Sequence, residues 1–126
     1  MLAGNLMKAE IVKASSLKEY LLPERCFIYE NLSSEKVSVA RARVKSGVTT
    51  VSHHLIGTDE IYIIFRGKGK VIVGDHFPEE VTAGDVVSIP AGVSQRITNI
   101  GKKDLLFYCI CTPRFTAECY VGESRE

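Results

Sequence analysis

From residue 26 onward, apolar side chains recur in short runs, and most runs are bounded by turn residues. Such patterning reads as strands separated by tight connections. The expected strands cover residues 26–30, 36–45, 48–54, 60–66, 70–73, 80–82, 85–89, 95–99 and 105–111. Between them lie turn signals: the polar stretch 31–35, Ser46-Gly47, a turn carrying Gly57, Gly67-Lys68-Gly69, 74–78, Ala83-Gly84 and 101–103. Pro90-Ala91-Gly92 has the chemistry of a type II turn, and Pro113 ends the last strand. Ahead of all this, Ser16-Leu17-Lys18-Glu19 has capping-box spacing and predicts one short helix over residues 17–22, stopped by Pro23. About nine short strands at close spacing predict an all-β sandwich or barrel.

Several of these strands are apolar on both faces. Ile61, Ile63 and Phe65 share one side of their strand, with Tyr62 and Ile64 on the other. One face can line a barrel interior. The other needs a second layer or another subunit, and a homodimer is the expectation.

Composition agrees. Val and Ile number 24 against 9 Leu among 126 residues, a β-branched surplus that suits a pleated surface. The length fits one domain over residues 1–126, and 45% hydrophobic with 25% charged residues excludes disorder for the bulk of the chain. A net charge of +1 offers no footprint for nucleic acid or an anionic membrane, and points to small-molecule partners. The longest apolar run, 105–111, is far too short to span a bilayer. The first ten residues lack a continuous apolar segment, so no secretion signal is expected. Cys26, Cys109, Cys111 and Cys119 then read as buried thiols of a cytoplasmic protein. Cys109 and Cys111 share a strand face and are the alternative source of soft metal ligands.

Two stretches carry candidate chemistry. In the first, Gly47, His53, Glu60 and Gly67 follow the spacing G-x5-H-x-H-x4-E-x6-G; in the second, Gly84, Pro90, Gly92 and Asn99 follow G-x5-P-x-G-x2-H-x3-N. Together they resemble the two motifs of the cupin superfamily, over a core of about 36–113. The resemblance implies a jelly-roll barrel, or double-stranded β-helix, here with a short N-terminal helix. It also implies a divalent metal held by three His and one Glu. Carried over, the first His is His53 and the carboxylate is Glu60, but Leu55 holds the place of the second His and Gln95 that of the third. The candidate metal set is therefore His53, Glu60 and Gln95. His53 and Glu60 are expected to approach across a tight hairpin, with the 90–92 turn delivering Gln95 from another strand. His54 would join only through a bulge, since neighbours in a strand face opposite ways.

Candidate ligand-binding residues are Tyr62, Gln95 and Glu60. Tyr62 stands two positions from Glu60 and faces the same cavity. The alternative is that His53, Glu60 and Gln95 are polar positions satisfied by hydrogen bonds or water, and that Tyr62 belongs to the core. Arg41 and Arg43 share a face with Val37 and Val39, opposite Ala40, Ala42 and Val44. The Ala/Val face is expected in the core, with the arginines reaching solvent or a partner; the alternative is a clamp for an acidic ligand. Three functions fit: a barrel binding a small polar molecule, a metal-dependent oxygenase or isomerase, and a dimerisation module.

Overall fold

The computed structural model describes residues 6–123. The strands are β1 Tyr20–Leu21, β2 Phe27–Ser34, β3 Val37–Val44, β4 His53–Leu55, β5 Asp59–Arg66, β6 Lys68–Val73, β7 Glu79–Thr82, β8 Val86–Ile89, β9 Gln95–Asn99, β10 Leu105–Thr112 and β11 Tyr120–Gly122. They form two antiparallel sheets, ordered β1-β2-β3-β10-β5-β8 and β11-β4-β9-β6-β7. This is the expected all-β double-stranded β-helix. The absence of an apolar leader was read partly from residues 1–5, which lie outside the described residues. Among the described residues no helix is long and apolar enough to cross a membrane.

Alternation decides what meets between the sheets. Val44, Ile64, Ile97, Leu105 and Phe107 are buried and fill one part of the interior. Along β3 and β10 the inward side chains then shrink. Val44 and Leu105 give way to Ala42 and Phe107, then Ala40 and Cys109, then Ser38 and Cys111, which are paired positions of the two strands. Small inward side chains leave volume unfilled, and a cavity opens there.

Two motif glycines are required by backbone geometry. Gly67 has φ +91°, and a Cβ there would sit 2.8 Å from the Asp104 carbonyl oxygen. Gly92 has φ +83° at the third position of the turn closed by the Val93 N–H donating to the Pro90 carbonyl at 3.1 Å. Asn99 is buried and serves the fold. Its amide donates to the Val44 and Lys103 carbonyls at 2.8 Å each, and its oxygen accepts from the Gly101 N–H at 2.9 Å.

The N-terminal segment departs from expectation. The predicted 17–22 helix does not form; a 3-10 turn, Ala14–Ser16, stands just before it. Ser16 donates its hydroxyl back to the Lys13 carbonyl at 2.7 Å, and Leu17 is already extended. A helix that short returns few hydrogen bonds for its nucleation cost. Glu19 has a better use. Arg43 forks onto its carboxylate at 2.9 and 2.7 Å, and Arg41 bonds it too. Both arginines lie on the outward face of β3, over the rings of Tyr29 and Phe27 at 4.2 and 4.3 Å. Ala42 and Val44 are buried on the opposite face, as expected. Tyr20 and Leu21 extend β2 instead of coiling.

The paired arginines hold the Glu19 carboxyl below its ordinary 4.5, the Arg43 hydrogen bond being the largest cause. Its stabilisation is therefore complete above 4.5 and is lost as pH falls through the lower folded value. Glu19→Gln should cost about 1 kcal/mol at neutral pH, a value discounted for partial exposure. Denaturant melts at a series of pH values check this: the gap from the unsubstituted protein should close in acid.

Candidate functional site

The cavity between the sheets gathers the chemically capable residues. Its wall includes His53 and Leu55 from β4, Glu60 and Tyr62 from β5, and Cys109 and Cys111 from β10. Its volume is about 90 Å³, room for several waters or a small molecule.

Hairpin pairing of His53 with Glu60 does not occur. His53 lies in the five-stranded sheet, opposite Gln95, whereas Glu60 lies in the six-stranded sheet between Cys111 and Ile89. The segment between them crosses from one sheet to the other, so both side chains reach the cavity from separate walls.

His53 is buried and its ring is fixed from two sides. It stacks on Tyr120 with centroids 4.8 Å apart, and Nδ1 lies 2.8 Å from the Val51 carbonyl oxygen. A carbonyl only accepts, so Nδ1 carries the proton and Nε2 of the neutral ring keeps its lone pair. Tyr62 is buried and donates its hydroxyl to Gln95 Oε1, a bond that ties the two sheets together. Burial drives the Tyr62 phenol well above 10, so it serves as a donor.

Glu60 is 7% exposed, and its Oε1 has no hydrogen-bond partner among the described residues; Gln95 Nε2 is buried and unpartnered as well. Desolvation pushes the Glu60 carboxyl up, while the Gln95 amide and His53 pull the other way. The thiols around it behave likewise. Burial pushes Cys26 to about 12 and raises Cys109 and Cys111, so all three favour the neutral form. All four cysteines are free, none forming a disulfide.

Two further wall residues escaped the sequence reading. Glu24, in the turn between β1 and β2, lines the cavity, and so does Tyr120 of β11. Burial raises the Glu24 carboxyl to about 7 against the opposing pull of the Tyr120 hydroxyl bond. No periodicity marks a turn residue as inward, and β11 is only three residues long. The one local hint was Glu24 standing between Pro23 and Cys26.

His54 faces the other way. Its Nδ1 meets Glu123 at 2.8 Å, and the same carboxylate accepts from Ser52 and Ser94 at 2.8 Å each. The His54 bond and the two serines hold Glu123 at about 2. His54 therefore does not complete the cavity's ligand set. His76 borders a separate surface depression beside Phe77. Arg41 and Arg43 also lie outside the cavity, occupied by Glu19, which removes the acidic-ligand clamp as an option for the barrel.

The donor set does not fit the full three-His, one-Glu centre. Leu55 occupies one position with an alkyl group, and Gln95 has its amide oxygen engaged by Tyr62. Among the described residues, no three His, Cys, Asp or Glu side chains are grouped to hold a metal ion. His53 Nε2 and Glu60 Oε1 remain as free donors.

A family model described as "Cupin domain" matches residues 40–111. An uncharacterized protein of Methanocaldococcus jannaschii is 31% identical over 123 residues, covering 94% of this chain and 95% of that one. Among solved structures, KdgF from a Halomonas species has a TM-score of 0.80 at 12% identity, covering 88% of this chain and 99% of that chain. A predicted oxalate decarboxylase from Thermotoga maritima has a TM-score of 0.75 at 25% identity, covering 82% and 99%.

The raised Glu24 carboxyl has a stability consequence of definite sign. Its folded value, about 7, exceeds the ordinary 4.5, so burying it costs nothing below 4.5 and progressively more up to 7. Glu24→Gln removes that cost. The variant should match the unsubstituted protein in stability at acid pH and exceed it above pH 7, as thermal melts across that range would register.

Proposed function

The chain belongs to the cupin family, and on that premise we propose that its barrel binds a small polar molecule in the cavity, through Glu60, Gln95, Tyr62 and His53. The observation that carries this reading is the buried Glu60 Oε1 without a partner at the cavity wall. A buried acceptor left unpaired costs about 1–3 kcal/mol, which a bound donor would return. The preset His53 ring adds an acceptor at Nε2. Residues 1–126 act as one domain in this reading. The free thiols suit a reducing compartment, and the cytoplasm is the proposed location.

A metal-dependent enzyme is the second reading. What favours it is the Nδ1 contact of His53 with a carbonyl, the arrangement that orients metal-ligating imidazoles, together with the free Glu60 oxygen. A divalent ion would be held by His53 and Glu60, with Gln95 joining if its amide oxygen leaves Tyr62.

One set of measurements separates them. A thermal-shift panel of small alcohols, amides, amines, acids and sugars should yield a ligand, and Glu60→Gln should weaken its affinity tenfold or more in calorimetry. No ligand, or one indifferent to that substitution, would sink the binding reading. Elemental analysis should find little Mn, Fe, Ni or Zn. Near-stoichiometric metal that disappears in His53→Ala would replace the first reading with the second.

The outward face of the six-stranded sheet supports a homodimer. Ile61 and Phe65 of β5 and Val86 of β8 are 36, 37 and 60% exposed, and Phe65 stacks on Tyr108 beside them. This apolar field adjoins the arginine pairs of β3 in continuous register. A second copy of the same face is the proposed occupant. Light scattering should give twice the chain mass, and Ile61→Asp with Phe65→Asp should halve it. A monomeric unsubstituted protein would refute the pairing.

A further inference from the structure

We propose that the cavity's ligand is a small organic cation, an ammonium group seated against the Glu60 carboxyl and admitted past Glu24 and Glu30. The inference rests on the reading of the cavity as a ligand site and adds the charge class.

The wall carries three carboxyl groups, Glu24, Glu30 and Glu60, and no Lys or Arg. The nearest strand with cations, β3, turns Arg41 and Arg43 outward, where Glu19 occupies them. His53 has its Nδ1 proton on the Val51 carbonyl and offers a lone pair at Nε2, another acceptor. The deepest carboxyl, Glu60, is more than nine-tenths buried with Oε1 unpartnered. Glu24 is half-buried and Glu30 exposed, so the three grade from solvent inward.

The remaining wall suits the same guest. Tyr20, Tyr62, Phe107, Phe115 and Tyr120 are among the residues that line the cavity. A cation over aromatic faces gains about 0.5–2 kcal/mol, more when desolvated. An anion would meet carboxyls and ring faces of the same sign, with no fixed positive charge to receive it. A neutral alcohol gains one hydrogen bond, whereas an ammonium gains a charge-assisted one, roughly twice as strong. An approaching ammonium also favours the ionised carboxylate. The cavity volume of about 90 Å³ limits the guest to a few non-hydrogen atoms.

The test uses three probes of matched shape, n-propylammonium, propan-1-ol and propionate, titrated calorimetrically into the full chain at neutral pH. Propylammonium should bind at least tenfold more tightly than propanol, and propionate should give no binding. Glu60→Gln should weaken propylammonium tenfold or more and leave propanol unchanged. Glu24→Gln, at a half-buried position, should weaken it several-fold and serves if the Glu60 variant misfolds. Equal binding of propanol or propionate overturns the proposal, as does propylammonium affinity unmoved in both variants. If no probe binds while a neutral or anionic member of the wider panel does so through Glu60, the charge class falls and the ligand site stands. If nothing binds in either set, both fall.

Discussion

A carboxyl group buried without a cation beside it is the constraint around which this interior is arranged. Glu60 loses its hydration on the cavity wall, and one oxygen finds no donor among the described residues. Proteins meet that penalty by pairing the charge or by protonating the group. Here the cavity wall supplies no Lys or Arg, and only the Gln95 amide, His53 and Cys109 work against the burial. Tyr62, the nearest hydroxyl on its own strand, gives its proton to Gln95 across the barrel. The His53 Nδ1 proton goes to Val51. The thiols of Cys109 and Cys111 are themselves pushed toward the neutral form. The Tyr62 hydroxyl and the His53 Nδ1 proton are thus committed elsewhere, and small side chains leave open space before Glu60.

The motif residues divide into two classes by what they do. Gly67 and Gly92 satisfy backbone conformations, and Asn99 staples β9 to β3 and to the 101–103 turn. These serve the fold whatever the barrel holds. His53, Glu60 and the positions filled by Leu55 and Gln95 are the ones at which the family pattern carries its metal ligands. Every structural position matches the family pattern, while both departures fall on chemical positions. This is why the fold was legible with so little ambiguity and the use of the cavity was not. Gln95 shows the shift concretely: a position that would carry a ligand imidazole instead bonds a tyrosine and ties two sheets.

Where the sequence misled, local pattern competed with distant partners. The Ser16–Glu19 spacing is a sound helix signal taken alone, but two arginines over twenty residues away claim the glutamate. The seven-residue interval between His53 and Glu60 suggests a hairpin, yet the chain uses it to change sheets. Glu24 could not be placed at all, because the side-chain direction of a turn residue depends on what packs above it. Strand alternation, by contrast, needs no such knowledge. The assignment of Ala42 and Val44 inward and Arg41 and Arg43 outward follows from period two alone.

That alternation also sets the electrostatics of the cavity. On β2 and β3 the outward positions carry Phe27, Tyr29, Arg41 and Arg43, and the inward ones Ile28, Glu30, Ala40 and Ala42. Cations and aromatic rings stack outside, and Glu19 and Asp104 pair with the cations there. The inward face holds Glu30 and Ser38 as its polar members and no Lys or Arg. A slip of one residue would exchange the two faces and drive guanidinium groups into the barrel beside Glu60. Two devices oppose such a slip. The bulge between Glu30 and Leu32 fixes how β2 meets β3, and Glu19 reads Arg41 and Arg43 as a pair two residues apart on one face. An ion pair on the outside surface thereby helps to keep the interior free of guanidinium groups, so the N-terminal arm shapes the charge of the cavity from the opposite side of the sheet.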